Sequence, residues 1–190
     1  MATETQEAIH GYITDMLALE EHIEKALEAQ VSAHEKDHAT IAAALRDMHR
    51  TIEGQIAALR ALDDTADAGG GQALGEAIKR AGAMLAGLGA AAIDLVRNER
   101  LPKNLRDDVT AFSLASTGYY MLHTTALGLG HAPTAALAAS HMESYASMII
   151  KLNHLIPAAV LTQLTADELP VDMTAADVAL ETYRKAWKNA

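Results

Sequence analysis

From Glu7 to Gln30, apolar residues return in alternating steps of four and three: Ile9, Ile13, Met16, then Ile23 and Leu27. This spacing lines one face of a helix and predicts a buried seam. Glu20 stands on the same seam. A carboxylate at a core position is costly unless it is protonated, hydrogen-bonded or bound to metal. A second stripe, Ile41, Leu45, Met48, Ile52, Gln55, Leu59 and Leu62, predicts a second helix ending near Asp63-Asp64-Thr65, again with one polar residue, Gln55, in the seam. The glycine run Gly69–Gly71 reads as a linker. A small-residue helix is expected from Gln72 to about Asn98. Pro102 marks the next break, since proline disfavours helix at the residue before it. Asn104 or Asp107-Asp108 opens a helix running to about Leu129, with stripe Val109, Phe112, Ser116, Tyr119, His123 and Ala126. Gly128–Pro133 reads as a stop and a new start. The following helix, to about Leu155, carries the stripe Leu137, His141, Ser144, Met148, Leu152 and Leu155, with Glu143 at its edge. Thr3 or Thr5 is expected to cap the first helix, and Thr174 with Asp177 a last helix over 175–188 that carries Trp187.

The pattern contains no strand period, so the fold class is all-α. A helical bundle over 1–157 and a C-terminal extension over 158–190 are expected. Abundant alanine and few aromatics (4%) suit closely packed helices. The net charge of −10 argues against nucleic acid as a partner, which calls for a basic face. The absence of cysteine removes thiolate metal sites and disulfides. The polar, acidic N-terminus lacks the basic start and apolar stretch of a signal peptide, and the most apolar stretch, Ala81–Val96, is too short to span a bilayer. A cytoplasmic protein without membrane contact is expected.

The order of the helices, with Asp15-Met-Leu-Ala-Leu-Glu20 on the first, Glu53-Gly-Gln55 on the second, Asn104-Leu-Arg-Asp-Asp108 opening the third bundle helix and Glu143 on the fourth, resembles the YciE/YciF-like branch of the ferritin-like superfamily. The likeness covers roughly Gly11 to Leu155. It implies a ferritin-like four-helix bundle with a crossover helix, a homodimer, a link to stress responses, and a di-iron centre between the helices. Such a centre takes a Glu from each of two helices and a Glu-x-x-His pair from each of the others. Here Glu20 and Glu143 match two of those positions. Thr51 stands where the second-helix acid belongs, and Thr117–Tyr120 contain no acid. The di-iron site is therefore expected to be degenerate.

Two readings of the inward polar residues follow. In one, Glu20, Glu143, His123 and His141 hold a single iron or other divalent ion, a donor set that suits Zn, Fe or Mn. In the other, which is preferred, no metal binds and Glu20 is bonded to Tyr or His in a polar network. His34-Glu-Lys-Asp-His38 matches H-E-x-x-H, but its intervening charges suggest a solvated face and not a zinc-protease helix. The functional expectation is a stress-associated bundle acting by assembly or binding. A metal-dependent oxidase or iron-handling protein and a helical interaction module are the alternatives.

Overall fold

The computed structural model describes residues 2–66 and 101–188, with side chains from 4 to 62 and from 101 to 188. The described residues are helical throughout apart from short connections, with no strand among them. The expected crossover helix over 72–98 lies outside the described residues. The helices are α1 (Ala2–His34), α2 (Ala39–Ala66), α3 (Leu101–Gly128), α4 (Ala132–Ala166) and α5 (Ala175–Lys188). α1 packs on α2 and α3, and α4 packs on α3 and α2, so the four long helices close a ring around one core; α5 lies against α4.

The α1 and α2 seams form as the hydrophobic pattern predicts. Ile9, Ile13, Met16, Ile23 and Leu27 are buried together with Leu45, Met48, Ile52 and Leu59. Ile41 and Leu62, at the ends of the α2 stripe, are only partly buried. On α3 and α4 the core face is turned by one residue from the expected stripes. α3 buries Leu105, Asp108, Phe112, Ala115, Tyr119 and Leu122. α4 buries Ala138, His141, Tyr145, Met148 and Leu152. Val109, Ser116, His123 and Ser144 fall to the half-buried flanks.

Several helix ends differ from expectation. α1 begins at Ala2, ahead of both candidate threonine caps. It stops at His34, so the H-E-x-x-H sequence straddles the α1–α2 turn, closed by a hydrogen bond from the His38 N–H to the His34 carbonyl (2.9 Å). α3 is helical from Leu101 onward, Pro102 included. Asn104 and Asp108 are therefore inward residues and not caps. α4 runs through Pro157 to Ala166. Ala159, two residues after Pro157, is buried in the core. Asp167 and Glu168 form the turn that closes α4. Thr174 precedes α5 as expected, and its hydroxyl donates to Asp172 (2.7 Å).

The α3–α4 reversal is tight. Gly130 takes φ +72°, a left-handed conformation that glycine adopts without strain, and the His131 N–H donates to the Ala126 carbonyl (2.8 Å). This sharp turn sets α3 and α4 side by side and brings Tyr119 and Tyr145 to the same depth of the core.

Candidate functional site

At that depth lies Glu20, fully buried. Tyr119 donates its hydroxyl to Glu20 Oε1 at 2.6 Å and Tyr145 donates to the same oxygen at 3.2 Å. The two phenol rings stack, with centroids 5.8 Å apart and planes at 29°. His141 meets Tyr119 edge to face at 4.9 Å. Glu20 Oε2 has no hydrogen-bond partner.

Burial dominates the electrostatics. It pushes the Glu20 carboxyl up to about 8, against the two tyrosine hydrogen bonds, which favour the ionised form. Glu20 is therefore mostly a neutral acid at pH 7. Oε1 accepts both phenols, and Oε2 is the oxygen left without a partner. Burial and the neighbouring carboxyl raise both tyrosines well above the ordinary phenol range. Burial alone lowers His141 to about 4, so its imidazole is neutral. Gln55 is buried in the α2 seam with neither amide atom hydrogen-bonded.

The structure gathers only part of the expected metal set. Glu20 and His141 both approach Tyr119. Glu143 is exposed. It lies two residues from His141, about 200° around the helix, so the two cannot face the same core point. His123 is half-buried, and its Nδ1 donates to the Ala135 carbonyl at 2.8 Å, tying α3 to α4 near their turn. The quartet Glu20, Glu143, His123 and His141 does not bring three ligand atoms together; among the described residues the group that does is Glu24, His49 and Glu53.

These residues do not fit a di-iron centre. Apart from Glu20, the buried acid among the described residues is Asp108, which accepts a hydrogen bond from Gln30 Nε2 at 2.8 Å. One carboxyl, already bonded to two phenols, cannot balance two divalent ions that normally share four carboxylates.

Three features escaped the sequence reading. Tyr145, the second donor to Glu20, stands four residues after His141 on one helix face, a spacing the displaced stripe hid. The Gln30–Asp108 pair links α1 to α3, and burial raises the Asp108 carboxyl to about 7. The third is the surface group between α1 and α2. His49 Nε2 lies 3.0 Å from Glu24 Oε1, and its Nδ1 lies 3.5 Å from Glu53 Oε2. Each ring nitrogen thus faces its own carboxylate, an arrangement that suits an ion held by Glu24 and Nε2 with Glu53 orienting the ring.

No described helix is long and apolar enough to cross a membrane. No protein-family model, curated protein or solved structure matches the chain. What the fold and site define is an all-α protein with a buried Glu–Tyr–Tyr cluster and, among the described residues, one surface group of metal-ligand type.

Proposed function

We propose that this protein is a ferritin-like four-helix bundle in which a proton-holding Glu20–Tyr119–Tyr145 cluster stands in place of a di-iron centre, and that it acts by binding or by assembly as a homodimer. The observation that carries this reading is the pair of phenol hydroxyls on one oxygen of a neutral, buried Glu20. They supply structurally what a metal would otherwise supply, namely partners for an inward acid. The cyclic packing of α1, α2, α4 and α3 supports the bundle part of the reading. Tyr120 and Leu127, exposed on α3, are apolar side chains open to a partner, which supports assembly. A role in a stress response rests on the sequence resemblance.

The test is elemental analysis and sedimentation of tag-free protein from iron-, zinc- and manganese-supplemented cells, wild type beside Glu20→Gln. Glutamine keeps the acceptor oxygen and is a poor ligand, so folding is preserved. The reading expects a dimer whose metal content is the same in both proteins. One or two ions per chain that vanish in Glu20→Gln would overturn it. A second reading, metal handling at the surface, is favoured by the Glu24–His49–Glu53 group. It expects metal that survives Glu20→Gln and is lost in His49→Ala.

A further inference from the structure

A cleft of about 390 Å³ opens between α3, α4 and α5, on the outside of the bundle. Its size falls within the range of roughly 300–1,000 Å³ typical of small-ligand sites. Val109 of α3, Ile149 and Ile150 of α4, and Trp187 of α5 form its walls. Ile150 and Trp187 remain 57% and 69% exposed, so the apolar walls are open to solvent. α5 buries no residue of its own, and its two aromatic rings, Tyr183 and Trp187, pack on each other at 5.9 Å along the cleft.

The charge of the cleft is opposite to that of the molecule. The chain carries −10, yet the cleft is lined by Arg184, Lys188 and His154 and by no acid. Among the described residues neither Arg184 nor Lys188 is paired with a carboxylate. Arg184 donates from Nη2 to His154 Nε2 at 3.3 Å, and among the described residues its other N–H groups have no partner. Two of the other polar side chains are already engaged: the Ser113 hydroxyl donates to the Val109 carbonyl and the Asn153 amide to the Ile149 carbonyl. An apolar trough whose lining carries two cations with no carboxylate partner among the described residues matches a ligand with an apolar body and one anionic head.

We propose that this cleft binds a medium-chain fatty carboxylate, with the alkyl chain against Val109, Ile149, Ile150 and Trp187 and the carboxylate on Arg184 and Lys188. The cleft shares no residue with the Glu20 cluster, so the inference stands or falls separately from the proposed function.

Trp187 is the chain's one tryptophan and so a built-in reporter. Decanoate, kept below its micelle concentration, is titrated into the full-length protein while tryptophan emission is followed, with calorimetry as the second readout. The expected result is a saturable blue shift with one decanoate per chain. Arg184→Gln combined with Lys188→Gln, both surface changes, should weaken binding roughly two- to thirtyfold, the range for loss of two solvent-exposed ion pairs. Decanol should bind the wild type correspondingly more weakly, and Glu20→Gln should bind decanoate as the wild type does. The proposal is overturned by the absence of a saturable shift, by equal affinity for decanol, or by unchanged affinity in the double variant. It is also overturned if sedimentation shows a dimer that covers Trp187 and excludes decanoate, or if anionic vesicles shift the emission while monomeric decanoate does not.

Discussion

Glu20→Gln should flatten the pH dependence of stability in a defined direction. In the folded chain the Glu20 carboxyl titrates near 8, against 4.5 as its ordinary value. A group whose acid form is favoured by folding contributes fully below its unfolded value and loses that contribution as pH rises toward its folded one. Stability tied to Glu20 is therefore complete below pH 4.5 and is lost between there and about pH 8. At about 1.4 kcal/mol per pH unit, the loss across the window is roughly 3–5 kcal/mol. That is a large share of the ~5–15 kcal/mol that holds a domain folded. Glutamine imitates the neutral acid and keeps an oxygen for both phenols, but it does not titrate. Its second N–H adds a constant offset, so the slope of the difference is the informative quantity. The assay is urea denaturation of both proteins at half-unit steps from pH 5 to 9. Asp108 and His141 also titrate anomalously, but they are present in both proteins and cancel in the difference. The variant should gain on the wild type by about 1.4 kcal/mol per unit between about pH 5.5 and 7.5, then level off. A flat difference, or one that falls with pH, would refute the claim that Glu20 is held as a neutral acid.

Tyr119→Phe removes the 2.6 Å hydrogen bond inside the core and should destabilise by about 1–3 kcal/mol in the same assay, more at alkaline pH, because that bond favours the ionised carboxyl. Asp108→Asn retains an acceptor for Gln30 and should flatten the pH dependence between 3.8 and about 7, the window in which a raised carboxyl loses stability as pH rises. Glu168, at φ 60° where α4 ends, is a non-glycine residue in a left-handed position; Glu168→Gly should raise the midpoint of thermal unfolding, by up to about 1 kcal/mol in stability.

Legibility in the sequence differed between the two halves for a physical reason. On α1 and α2 the seam residues are Ile, Leu and Met against charged flanks, so the stripe has contrast, and Glu20 and Gln55 stand out on it as inward polar residues. On α3 and α4, Ala, Ser, Thr and Tyr occupy both faces, and a stripe displaced by one residue scores nearly as well. That displacement kept Tyr119 and His141 but exchanged Tyr145 for Ser144, Ala115 for Ser116 and Leu122 for His123. Glu143 then looked available to the core when its position faces solvent. The α1–α2 break carries no glycine or proline, which is why H-E-x-x-H could be read as one helical turn. The α5 cleft was invisible in the sequence because its walls come from three helices and its character depends on which charges are left unpaired.

The most direct measurement of the central claim is infrared difference spectroscopy of the wild type against Glu20→Gln at neutral pH in heavy water. The account predicts a protonated carboxylic-acid carbonyl band, lowered in frequency by its two phenol donors, that is present in the wild type and missing in the variant. A wild-type spectrum in which the band lost on mutation is that of an ionised carboxylate would contradict it, and would return Glu20 to the role of a ligand awaiting a cation.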